Sequence, residues 1–126
     1  MRHDDERVAD ILDAARAVHA RLSDHSLETL RAARDAIKAT FFDVIVIGEA
    51  VRDLVAKRDA AGKVSGDDSP FVQAYPQIPW LAWVGMRDMV THQYFRAAPD
   101  LVWRDYQAGE FSRLVECCAN WLERSQ

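Results

Sequence analysis

The sequence is poor in the residues that several common chemistries need. Its two cysteines, Cys117 and Cys118, are adjacent, which suits neither a disulfide framework nor a zinc site, whose ligands are spaced by two or more residues. They are expected to be ordinary helix residues, at least one of them packed inside. Four histidines, His3, His19, His25 and His92, are scattered without ligand spacing. The serines lack a nucleophile-turn motif. Neither a metal centre, a hydrolytic triad nor a bound cofactor is therefore expected. No apolar run approaches the roughly 18 residues that a membrane span needs, and Met1-Arg2-His3-Asp4-Asp5-Glu6 lacks a signal-peptide core. A soluble cytoplasmic protein without a membrane partner is the expectation. Positive charge is also short. Sixteen Lys and Arg against twenty Asp and Glu leave a net charge of −4, which argues against a nonspecific nucleic-acid binder. Thirteen of the sixteen are arginines, so a local cleft that grips phosphate bidentately stays open.

What is present is helix. The 126 residues, 49% of them hydrophobic, suit one compact domain. Val8, Ile11, Leu12, Ala15, Val18 and Leu22 form a helical stripe between Asp4 and Leu22. Ser23-Asp24-His25-Ser26 breaks it, with Ser26 a plausible N-cap. A second helix is expected from Leu27 to about Arg58, because Ile37, Phe41, Val44, Gly48, Val51 and Val55 repeat at alternating four and three. The β-branched run Val44-Ile45-Val46-Ile47 could instead be a strand, but no other stretch offers it a partner. Residues 59–79 hold most of the breakers, including Gly62, Gly66, Pro70, Pro76 and Pro79, and read as one long flexible loop. Pro79 fits the first turn of a helix running through Trp80 and Trp83 to about Tyr94. A short helix from Pro99, closed by Gly109, and a last one carrying Phe111, Leu114, Cys118 and Trp121 complete the chain. The fold class is all-α, an antiparallel bundle of four or five helices.

The polar residues of Gly85-Met86-Arg87-Asp88-Met89-Val90-Thr91-His92-Gln93-Tyr94-Phe95 stand out inside an otherwise apolar helix. At helical spacing Arg87, Thr91 and Tyr94 share a face. Asp88 lies four residues before His92, where its carboxylate could orient the imidazole. Arg87 and His92 diverge by roughly 140° on the wheel, so a second copy of the helix would bring them together more easily. Glu49, in the apolar stretch upstream, either escapes to solvent or a helix neighbour, or, in the sharper reading, is a buried acid paired with an arginine such as Arg87. Trp80, Trp83 and Trp103 exceed what so small a core needs, and some are expected at a two-fold interface.

Arg87, four residues, His92, one residue, Tyr94 resembles the R-x4-H-x-Y signature of the HepT-like toxins of the HEPN superfamily. Ile78-Pro79-Trp80, Gly85, Phe95 and Gly48-Glu49-Ala50 match its flanks in order, so the resemblance covers nearly the whole chain. Gln93 departs from the small or acidic residue common at that position, and the 59–79 stretch is longer than most. The resemblance implies a HEPN bundle over 1–126 that acts as a homodimeric, metal-independent endoribonuclease. Arg87 and His92 would be catalytic at a composite interface site, with Asp88 and Glu49 in support. It further implies a type VII-like toxin–antitoxin pair, in which a minimal nucleotidyltransferase antitoxin (MntA-like) silences the toxin by adding AMP to Tyr94. The residues alone leave two other readings open: a non-catalytic helical adaptor, and a nucleotide-binding accessory subunit of a nucleotidyltransferase.

Overall fold

The computed structural model describes residues 3–92 and 98–125. Among them are seven α-helices and one small hairpin: α1 (Asp4–Leu22), α2 (Leu27–Ala32), α3 (Arg34–Leu54), β1 (Lys57–Arg58), β2 (Val64–Ser65), α4 (Pro70–Ala74), α5 (Trp80–Thr91), α6 (Ala98–Gln107) and α7 (Glu110–Arg124). The predominantly helical class is the one the periodicity predicts, and Val44–Ile47 lies in the middle of α3.

Helix α1 is the central strut, packed on α3 along one side and α7 along the other. Its polar edges fix the direction of both neighbours. Arg7 near its start pairs with Asp53 near the end of α3, while Arg21 near its end pairs with Asp43, so α1 and α3 run antiparallel. The Trp121 indole N–H near the end of α7 donates to Asp5 at the start of α1, which sets α7 antiparallel too. Between them Val8, Ile11, Ala15, Val18 and Leu22 meet Val44, Ile47, Phe111 and Leu114, all buried. This burial, not intrinsic propensity, holds the helices.

Three features differ from the sequence expectations. The long second helix breaks at Ala33 into α2 and α3, although neither glycine nor proline stands there. Tertiary contacts impose the break. Leu30 is buried, and Arg31 makes a bidentate pair with Asp100 of α6, at 3.0 and 2.7 Å. Ser26 does cap α2, in a reciprocal box with Thr29.

The 59–79 stretch is not structureless. A hairpin pairs Lys57 with Ser65 and Arg58 with Val64, and the Asp59 carboxylate accepts from the backbone of Ala61 and Lys63 to close its turn. Helix α4 then buries Phe71 and Val72, with Ser69 as N-cap and Pro70 in its first turn.

Trp80 and Trp83 belong to the core of the single chain rather than to a surface. Trp80 packs edge-on against Phe71 and donates to the Tyr75 carbonyl, and Trp83 packs edge-on against Phe111. The third, Trp103, is half-buried against Tyr106. Both cysteines are buried. No helix among the described residues is long and apolar enough to cross a membrane.

Candidate active site

The site is built where α5 crosses α3. Gly48 faces α5 so closely that a Cβ there would lie 2.2 Å from Cβ of Arg87, 2.8 Å from its Cγ and 3.1 Å from the Trp83 carbonyl oxygen. Only glycine permits that approach. It sets the Arg87 side chain against α3, where one terminal nitrogen contacts the Glu49 carboxylate and the other donates to Asp88 Oδ1 at 2.7 Å. The Asp88 hydrogen bond first, and Glu49 after it, raise the arginine's pKa further, against the opposing effect of burial. Arg87 Nε is buried with no partner among the described residues. The guanidinium is thus clamped by two acids and fixed in direction.

Glu49 pairs with Arg87, the sharper of the two sequence readings, yet it is not buried: its side chain is 47% exposed. Asp88 also departs from expectation. Its carboxylate turns to Arg87, and its backbone carbonyl, not its side chain, meets His92, whose Nδ1 lies 2.7 Å away. The cause is competition from the neighbouring guanidinium. Helix α5 stops at Thr91, and His92 is its C-cap, whose backbone N–H still donates to the Asp88 carbonyl at 3.0 Å, while Arg87 holds the Asp88 carboxylate away from the ring. The Thr91 hydroxyl donates to the same carbonyl and sits 3.2 Å from Nδ1.

This geometry has a chemical consequence. A carbonyl only accepts, so His92 Nδ1 carries the proton and donates it to Asp88. In the neutral ring Nε2 is then the bare nitrogen, on an exposed side chain. An exposed base and a clamped guanidinium therefore stand within five residues of each other at one end of α5. Tyr94 and Gln93 lie outside the described residues.

The other histidines stand apart from this constellation. His25 Nδ1 is 3.0 Å from the Thr29 hydroxyl, and the His19 ring packs edge-on against Tyr106.

A second polar feature escaped the sequence reading. A cleft of about 420 Å³ lies against α5, lined by Trp83, Gly85, Met86 and Met89, by Arg104 and Asp105 of α6 and by Glu110 of α7. Burial, and secondarily Glu110, push the Asp105 carboxyl above its ordinary range, while Arg104 pulls it down. Nothing in the spacing of residues from separate helices could have announced it.

Comparison with known proteins bears on this arrangement directly. Residues 11–118 match the family described as Ribonuclease HepT-like. A protein of Methanocaldococcus jannaschii named "Putative RNase MJ0127" is 32% identical over 66 residues, which cover 52% of this chain and 44% of that protein. The chain thus aligns with less than half the length of that relative. No solved structure matches. The family match spans Glu49, Arg87, Asp88, His92 and Tyr94 together, and the chain belongs to the ribonuclease HepT-like family.

Proposed function

We propose that the protein is a metal-independent endoribonuclease whose site is completed at a homodimer interface by Arg87 and His92. The observation that carries this reading is the exposed His92 ring with Nδ1 2.7 Å from the Asp88 carbonyl oxygen, a contact that leaves Nε2 to act. Nε2 takes the proton of a ribose 2′-hydroxyl, and the 2′-oxygen attacks the adjacent phosphorus. The bond from phosphorus to the 5′-oxygen breaks, and that oxygen takes a proton from His92 of the partner subunit. The products are a 2′,3′-cyclic phosphate and a 5′-hydroxyl. Arg87 stabilises the charge that grows on the phosphate oxygens. To do so it exchanges its contact with the exposed Asp88 for the phosphate, while Glu49 holds the other nitrogen.

Support for a two-fold interface comes from the faces that flank this site. Phe42 is 66% exposed and shares a face of α3 with half-buried Ile45 and with Glu49, at i, i+3 and i+7. Leu81 is 49% exposed and shares a face of α5 with Val84 and Asp88 at the same spacing. These apolar positions, rather than the buried Trp80 and Trp83, are the surface a second copy would cover. In a toxin–antitoxin setting, a nucleotidyltransferase antitoxin would silence this site by adding AMP to Tyr94.

One observation favours the non-catalytic adaptor instead: both terminal nitrogens of Arg87 already hold carboxylates. Subunit mixing separates the two. An acid and a base drawn from the two subunits require both copies of His92, so a dimer of one wild-type and one His92→Ala chain should not cut. An equal mixture should therefore cleave RNA at about a quarter of the rate of wild type at the same total concentration, since a quarter of the dimers keep both imidazoles. A fall to only about half, the value for sites that each lie within one subunit, rules out the composite site.

A further inference from the structure

We propose that the cleft between α5, α6 and the start of α7 is a nucleobase pocket, seating a base of the RNA strand beside the phosphate cut at Arg87 and His92. This rests on the ribonuclease reading and adds to it the part of the substrate that is recognised.

Gly85 gives the first indication. It lies inside α5, where glycine is destabilising relative to alanine. Gly48 is required by the close approach of α5, but a Cβ at Gly85 would meet nothing within 4 Å. Its backbone has no positive φ to justify it either. Nothing among the described residues needs a glycine there. A ligand lying against the α5 backbone does, and Gly85 lines the cleft.

Trp83 supplies an independent second indication. It is 3% exposed, lines the same cleft, and its indole N–H has no acceptor among the described residues. An unpaired buried donor is costly, and an acceptor on a ligand in the cleft would relieve it.

The walls decide what the ligand is. At about 420 Å³ the cleft falls in the range of small-molecule sites and holds a flat heterocycle. Met86 and Met89 offer polarisable thioethers to the face of a ring. Asp105 and Glu110 offer acceptors to N–H groups on its edge, and these two acids outnumber Arg104, the one cation in the lining, which pairs with Asp105 at 3.6 Å. Glu110 is held in place by Arg113 at 2.8 Å. A base, not a phosphate, fits this combination. Met89 stands three residues before His92 and one turn after Gly85, so the cleft opens along the ridge that ends at the imidazole. Single-stranded RNA presents splayed, unstacked bases that such pockets take up.

The test uses the full chain with Gly85→Leu, since leucine suits a helix and its side chain would fill the cleft. Two single-stranded RNAs are compared, one intact and one abasic beside its cut. Wild type should favour the intact strand in kcat/KM by between about fivefold and a hundredfold, the range that stacking of one base carries. Gly85→Leu should melt no lower than wild type, cut the intact strand at the abasic rate and leave the abasic rate unchanged. Should it fail to fold, Asp105→Asn serves instead and should shrink the same preference. An intact-strand preference that is absent in wild type, or unchanged in the variants, overturns the proposal. So does a Gly85→Leu protein that has lost self-association, because the glycine would then serve a subunit contact. If no protein cuts RNA, the ribonuclease reading falls, and affinity for an uncleavable 2′-O-methyl strand decides the cleft alone. Weaker binding by Gly85→Leu supports the pocket, and equal binding overturns it.

Discussion

Gly48 of α3 and Arg87 of α5 approach so closely that the absent side chain of one is the space occupied by the first carbons of the other. The contact is with Cβ and Cγ of Arg87, not with the mobile end of its side chain, so an added methyl cannot be accommodated by a rotamer change. Gly48→Ala must push α5 away from α3. Overpacking of this kind costs about 1–3 kcal/mol, and the helix propensity gained by alanine offsets up to roughly 1 kcal/mol of it. Chemical denaturation should therefore show a net loss of stability, and RNA cleavage should fall more than stability alone explains. A variant as stable and active as wild type would mean that the crossing is looser than described.

Glu49 is half-exposed, so its ion pair with Arg87 contributes at most about 1 kcal/mol to stability. Its role is to aim the guanidinium. Glu49→Ala should leave the denaturation midpoint nearly unchanged and lower kcat roughly tenfold, the scale of a lost positioning contact. Glu49→Gln keeps an acceptor oxygen at the same reach and should recover most of that loss. Equal defects in the two variants would show that the negative charge, not the position, is what matters.

The Asp105 carboxyl has a folded-state pKa raised by burial. A raised acid contributes stability that is fully present below its unfolded pKa and is lost as pH rises through its folded pKa. Once ionised, the group carries that penalty. Asp105→Asn should therefore melt higher than wild type on the alkaline side of that transition, with the difference shrinking to nothing as pH falls below the ordinary carboxylate range. Thermal melts across that range check it. A difference that grows toward low pH contradicts the assignment.

Silencing by adenylation makes a separate prediction at Tyr94. Tyr94→Phe keeps the ring but removes the acceptor oxygen, so it should cleave RNA like wild type and escape an antitoxin that works by AMP transfer. Intact mass after co-expression with a nucleotidyltransferase should show added adenylate on wild type and none on the variant. If the antitoxin neutralises both equally, it acts by binding alone.

Much of the fold was legible because the helices carry their burial in their spacing. The stripe Val8, Ile11, Leu12, Ala15, Val18 and Leu22 is the buried face of α1. The break at Ala33 was not legible, because its causes are the burial of Leu30 and a pairing of Arg31 with a residue sixty-nine positions away. The hairpin was hidden for another reason: strands of two residues show no alternation to read. At the site, an acid in an apolar stretch pointed correctly to the Glu49–Arg87 pair. The Asp88–His92 pairing failed because Arg87, the adjacent residue, takes the Asp88 carboxylate, a pairing that helical spacing does not suggest. The Gly85 cleft depends on three helices meeting, which no single-helix pattern contains.

The most direct measurement is RNA cleavage by purified wild type, Arg87→Ala and His92→Ala in excess EDTA, with the ends of the products identified. Wild type should cut and leave 2′,3′-cyclic phosphate and 5′-hydroxyl ends, while both variants, with unchanged helical content, should fail to cut. Full activity in His92→Ala, or cleavage by wild type that vanishes with the divalent metal, would contradict catalysis by Arg87 and His92.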